Sequence, residues 1–183
     1  MEICPLKLEH VPTERRGSTD FSFSRFLVPW LCGYEGHALF VDCDMVCLGD
    51  VGEIDCCPNG EVAVCKIDYR PKSDVKFLEE PQSWYPMKCW SAVMLFNNAK
   101  CKHLTPKYVN TAQGLNLHQF TWADRIDDLP LAWQHIPEQP LKADGDQPKM
   151  VHYTEGGPWF EGYENCEMGG LWQEEYRDLM ACL

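Results

Sequence analysis

The sequence predicts an α/β protein, one domain over 1–183, built on a single mixed, mostly parallel sheet flanked by helices. Three observations predict it. Residues 38–41 read Ala-Leu-Phe-Val, a short unbroken apolar run of the kind that forms a strand buried on both faces. Two further apolar runs follow, at 61–65 and 91–96. Segments with helical spacing stand between and after these runs.

In chain order, residues 2–6 read as a strand and residues 15–20 as a loop, with Ser18, Thr19 or Asp20 placed to cap a helix. Phe23, Phe26, Leu27, Trp30 and Leu31 recur at helical spacing, so a helix with one apolar face is expected there. Pro29 should kink it and Gly33 should end it. The strand at 38–41 comes next and closes on Asp42 and Asp44. Residues 50–54 connect to the strand at 61–65, and 68–87, with Pro71, Pro81 and Pro86, have no clear period. The strand at 91–96 ends at Asn97-Asn98. Residues 101–118 are expected to be partly helical, starting at Thr105-Pro106. A short strand within 129–136, a last strand at 149–153 and an amphipathic helix over 171–183 complete the reading.

With 45% hydrophobic and 24% charged residues the composition is that of an ordinary globular chain. The net charge of −12, with no basic run, excludes a nucleic-acid footprint. It also means that a phosphate ligand would need a metal to bridge it to the protein. No apolar run approaches the roughly 18 residues of a membrane span, and no secretory or lipidation signal is present. The expectation is a soluble cytoplasmic protein with no transmembrane segment. Its eleven cysteines are then read as reduced and mostly buried.

The chemistry-bearing residues start with Asp42 and Asp44. Ligands collect beyond the carboxyl ends of strands in α/β sheets, and two close carboxylates are hard ligands suited to Mg²⁺ or Mn²⁺. D-x-D is a common tripeptide; the apolar run before it gives it weight. Asp127-Asp128 is read as a loop or cap.

Residues 24–44, with Arg25, Tyr34-Glu35-Gly36 and the Asp42-Cys43-Asp44 strand end, together with His152-Tyr153-Thr154-Glu155-Gly156-Gly157-Pro158-Trp159, resemble GT-A-fold glycosyltransferases of the family 8 type. The two blocks stand in the family's order, about a hundred residues apart. The resemblance implies a GT-A-like fold and a divalent cofactor, Mn²⁺ or Mg²⁺, held by Asp42, Asp44 and His152. It implies a nucleotide-diphosphate sugar donor, UDP-sugar favoured, and an acceptor of unstated kind: glycan, lipid-linked or protein. It also implies sugar transfer with retention of anomeric configuration, a same-face substitution with no firm enzyme nucleophile, and the sequence supplies no obvious one.

The same resemblance assigns donor-binding roles to Arg25, 17 residues before Asp42, and to Ser91, Asn97, Gly156, Gly157 and Trp159. It assigns His118 and Gln119 to the reacting carbon. Trp122 and Trp133 are further candidates to stack on sugar rings. The family's lysine before Pro-Trp is replaced by Gly157, which shifts leaving-group stabilisation to the metal and to backbone amides. The family's opening strand and helix also lack a counterpart, so the fold is expected to be N-terminally abbreviated by roughly 25–35 residues, one βα unit.

Two other readings compete. A haloacid-dehalogenase-like phosphatase also ends a strand in D-x-D, with the first Asp as nucleophile; it wants a downstream lysine and then an acidic pair, but Asp127-Asp128 comes before Lys142 and Lys149, so Lys102 or Lys107 would have to serve. A catalytically inactive remnant would bind sugar or nucleotide without turnover.

Overall fold

In the computed structural model of the chain, residues 2–13, 15, 21–54, 57–75, 79, 81–137, 139 and 147–182 are described. The candidate caps Ser18, Thr19 and Asp20, and Lys142, lie outside them. Among the described residues, six strands form two sheets: β1 (His37–Val41), β2 (Met45–Cys47), β3 (Val62–Val64), β4 (Val93–Asn97), β5 (Ile126–Asp128) and β6 (Met150–His152). The main sheet has the order β1-β4-β3-β5, and β2 pairs with β6 in a separate ribbon. The helices are α1 (Val28–Leu31), α2 (Pro106–Thr111), α3 (Gly114–His118) and α4 (Gly169–Ala181).

The α/β class and the mixed sheet flanked by helices stand, but that sheet is mostly antiparallel and is accompanied by a second, two-stranded one. In the main sheet β4 runs antiparallel to both β1 and β3, while β3 and β5 are parallel. Apolar runs announce strands buried on both faces without fixing their direction. The alternation within each run does show in the core. Val62, Val64, Met94 and Phe96 face one cluster, with Phe26, Leu27, Leu117 and Trp122. Ala63, Val93 and Leu95 face the other, with Leu129, Trp133 and Met150. A third cluster joins Val46, Val151 and Tyr153 to Leu171 and Trp172, so α4 covers the small ribbon.

Several local expectations are corrected. Residues 2–6 form no strand; Ile3 is 85% exposed, and Pro5 has no N–H to give a ladder. The helix expected around Phe23 is a 3-10 turn, Ser24–Leu27, followed by the single turn of α1. Pro29 lies in that first turn, where its missing N–H costs nothing, and so it introduces no kink. Gly33 follows with φ +62°, as a helix-ending glycine should. Leu131–Gln134 is a 3-10 turn, and only His135 makes a bridge, to Val151. Asp127 and Asp128, read as a loop or cap, lie in β5. Thr105 does cap α2, its Oγ1 accepting from the Tyr108 N–H at 3.2 Å.

Every described cysteine is a free thiol. Cys65 and Cys101 are buried as expected, but Cys4, Cys32, Cys43, Cys47, Cys57 and Cys182 are exposed. No helix among the described residues is long and apolar enough to cross a membrane.

Candidate metal and donor site

The site is built where the two sheets meet. β1 ends at Val41, and the Asp42 N–H donates to the Ala92 carbonyl at 3.0 Å, which extends the β1–β4 ladder by one bond. The chain then turns through Cys43 and Asp44 directly into β2. In the β2–β6 ribbon, Met45 is paired with His152. The Tyr153 N–H adds a bond to the Asp44 carbonyl at 3.0 Å. Strand register thus carries a histidine from more than a hundred residues away to the side of Asp44.

One ligand atom from each of Asp42, Asp44 and His152 lies within 4.8 Å of the others. His152 Nε2 is 3.4 Å from Asp44 Oδ1. Ligand bonds of about 2.0–2.6 Å set opposed ligands up to about 5 Å apart, so these atoms can share one ion. The donor set, two carboxylate oxygens and an imidazole nitrogen, suits Mn²⁺ and Mg²⁺ better than a thiolate-seeking metal. His152 is buried, and its Nδ1 has no hydrogen-bond partner. The three residues fit a divalent cation.

Arg25 holds the first acid. Its Nη1 donates to Asp42 Oδ2 at 2.9 Å and to the Ser91 carbonyl at 3.0 Å, while its guanidinium lies over the Phe40 ring. Only 10% and 20% of the Arg25 and Asp42 side chains remain exposed, so this is a largely desolvated pair. Burial pushes the Asp42 carboxyl above its usual range despite Arg25 and His152, which pull the other way. Burial also works against the Asp44 carboxylate, but there the charge and hydrogen bond of His152 outweigh it and the carboxyl sits below its usual range.

These groups open on a cavity of about 480 Å³, also lined by Ser91, His118, Trp159, Tyr85, Lys88 and Cys89. Ser91 Oγ and His118 Nδ1 are 2.8 Å apart. Burial first, then the Arg25 charge, pulls the His118 pKa down to about 3, so its imidazole is neutral at ordinary pH. Tyr85 is pushed up to about 12, chiefly by burial.

Other residues singled out in the sequence lie elsewhere. Asn97 is at the far end of β4 because that strand is antiparallel to β1; its amide donates to the Pro58 carbonyl. Gln119 ends α3 and does not line the cavity. Gly156 spends its N–H on the Tyr153 carbonyl. Gly157 is buried against Trp159, where a Cβ would sit 2.2 Å from the indole. Neither glycine lines the cavity. Trp122 and Trp133 are core side chains, the former donating its indole N–H to the Leu117 carbonyl. Asp127 and Asp128 are tied down by Gly60, Arg125 and Lys66. Lys149 pairs with Glu53.

The sequence reading missed the segment 81–87. Residues 68–87 show no period in the sequence, yet Pro81, Gln82, Ser83 and Tyr85 line the cavity, together with Lys88 and Cys89 on the approach to β4. The available signal was Lys88, three residues before Ser91 and on the same approach to β4.

Searched against solved structures, the chain matches the crystal structure of an active-site mutant of LgtC, a GT-A glycosyltransferase, with a TM-score of 0.54 and 12% identity. The match covers 91% of this chain and 70% of that one. The fold is GT-A. Among curated proteins the chain is 41% identical over 170 residues to Protein CDI of Arabidopsis thaliana, a name that states no activity. That alignment takes in 88% of this chain, and the chain spans 66% of the relative's length, just under two thirds. No family model matches the sequence.

Proposed function

We propose that the protein is a metal-dependent glycosyltransferase that moves a sugar from a nucleotide-diphosphate sugar, a UDP-sugar in the favoured case, to an acceptor. The observation that carries this reading is the convergence of Asp42, Asp44 and His152 in the lining of one cavity, on a GT-A fold.

In this reading Asp42, Asp44 and His152 hold Mn²⁺ or Mg²⁺. The bound ion would supply Lewis-acid stabilisation of the departing diphosphate. Arg25 fixes one carboxylate by a short charge-assisted bond, so that Asp42 presents its other oxygen to the site. Ser91 and neutral His118, hydrogen-bonded to each other, orient the donor sugar by its hydroxyls; His118 is too weak a base to take a proton at neutral pH. Trp159 forms one wall. Asp42 and Asp44 are the carboxylates among the described lining residues, and both are assigned to the ion. Transfer with retention, and without a carboxylate nucleophile, is consistent with that lining.

The antiparallel placement of β1 at a sheet edge disfavours the phosphatase reading, which wants its D-x-D strand inside a parallel sheet. The inactive-remnant reading is separated by experiment. The protein is incubated with a panel of UDP-, GDP- and dTDP-sugars and Mn²⁺, and nucleotide release is followed. Release that is lost in Asp44→Asn supports transfer. Metal-dependent binding without release assigns a binding role, and phosphate release from a phosphomonoester points to the phosphatase.

A further inference from the structure

The proposed donor leaves a charge to be balanced. Two carboxylates, a divalent ion and the Arg25 guanidinium together leave one positive charge. A nucleotide sugar's diphosphate brings two negative charges, and a third develops as the sugar departs. Arg25 already donates to Asp42 and to the Ser91 carbonyl. Among the described residues, the other lysine or arginine lining the cavity is Lys88.

The fold takes care over where this ammonium sits. Met87 and Cys89, on either side of it, both adopt left-handed backbone, at φ 64° and 67°. Side-chain-bearing residues avoid that region, and two so close together mark a segment shaped by more than local preference. Lys88 Nζ donates to Gln82 Oε1 at 3.2 Å and to the Ser83 carbonyl at 2.8 Å. The Gln82 amide in turn donates to both oxygens of Glu155, at 3.3 and 3.1 Å. Glu155 lies three residues beyond His152. The chain Lys88–Gln82–Glu155 thus ties the ammonium to the same segment that supplies the histidine of the metal site.

We propose that Lys88 is a diphosphate-binding residue, lining the same cavity as Asp42, Asp44 and His152, with Gln82 and Glu155 as its positioning residues. This rests on the transferase reading above. Lys88 offers a compact point charge to the phosphate oxygens, where Arg25 acts as a fixed fork on a carboxylate. It counters the charge that accumulates on the leaving diphosphate.

The test uses Mn²⁺ alone and Mn²⁺ with inorganic pyrophosphate, a probe that asks nothing of the nucleotide base. Binding of each is measured by calorimetry for the unaltered chain, Lys88→Met and Lys88→Arg. The expected result is that Lys88→Met loses between about tenfold and a hundredfold in pyrophosphate affinity, the size of one charge-assisted hydrogen bond. Lys88→Arg should retain most of it, and Mn²⁺ affinity should be the same in all three. Equal pyrophosphate binding by Lys88→Met and the unaltered chain overturns the inference and leaves the transferase reading standing. So does a loss in Lys88→Arg as large as that in Lys88→Met, or a loss of Mn²⁺ binding in either, since each assigns Lys88 a structural part. An unaltered chain that binds Mn²⁺ but no pyrophosphate overturns both.

Discussion

Two acidic pairs end up on strands of the same main sheet or at its end, with opposite fates. Asp127 and Asp128, in β5, are turned to structural partners and solvent, and neither lines the cavity. Asp127 accepts from the Gly60 N–H at 2.8 Å and from Arg125 Nε at 2.6 Å, and Asp128 pairs with Lys66 at 3.1 Å. Asp42 and Asp44, just past β1, are held by Arg25 and His152 but still face a cavity. In sequence the two pairs look alike. What separates them is how much of each carboxylate's bonding capacity the fold has already used, together with the burial that makes the remainder costly to leave unmet.

That contrast is broken or sharpened by substitution. The largest effect is expected for Asp42→Ala, which strands the buried Arg25 charge. Losing one partner of such a pair costs about 3–5 kcal/mol, read as a fall in the urea midpoint. Asp128→Ala, whose side chain is 75% exposed, should change stability by less than about 1 kcal/mol. Similar losses at the two positions would erase the distinction.

The second expectation concerns the ion. His152→Ala should weaken Mn²⁺ binding at least about tenfold, because even outer-shell changes at metal sites cost roughly 10–100-fold. Asp127→Ala should leave it unchanged. Equal effects would remove His152 from the ligand set.

A third expectation is pH dependence. The folded chain holds His118 neutral down to about pH 3, whereas in the unfolded chain it titrates at the ordinary value of 6.5. Between those values the unfolded state binds the extra proton, so stability is lost as pH falls. His118 alone contributes a loss of about 2 kcal/mol between roughly pH 6.5 and 5. His118→Gln should flatten that part of the stability profile measured by urea unfolding; an unchanged slope would show that the imidazole titrates freely in the fold. The smallest effect is expected for Asp127→Asn, which keeps an acceptor for Gly60 and loses only a partly exposed pair with Arg125, worth less than about 1 kcal/mol by the same urea assay.

What was readable from the sequence was local. The apolar run before Asp42, the Thr105 cap and the C-terminal helix each declare themselves within a few residues. The candidate site was readable at or beside strand ends: Asp42, Asp44, His152, and Ser91 in the turn just before β4. Strand direction was not readable, because apolar alternation is the same in either sense; this moved Asn97 to the wrong end of the sheet. The pair Gly156-Gly157 resembled a phosphate-binding turn, but its small size answers to a backbone turn and to the Trp159 ring. Lys88 was missed because its value depends on a segment with no periodicity folding over a cavity that only tertiary structure creates.

The central claim is that Asp42, Asp44 and His152 share one divalent ion. Crystals soaked in Mn²⁺ and measured at the manganese absorption edge test it directly. The account predicts a single anomalous peak bonded, at about 2.0–2.6 Å, to an oxygen of each aspartate and a nitrogen of His152. A peak that omits any of the three, or none at this place, would contradict it.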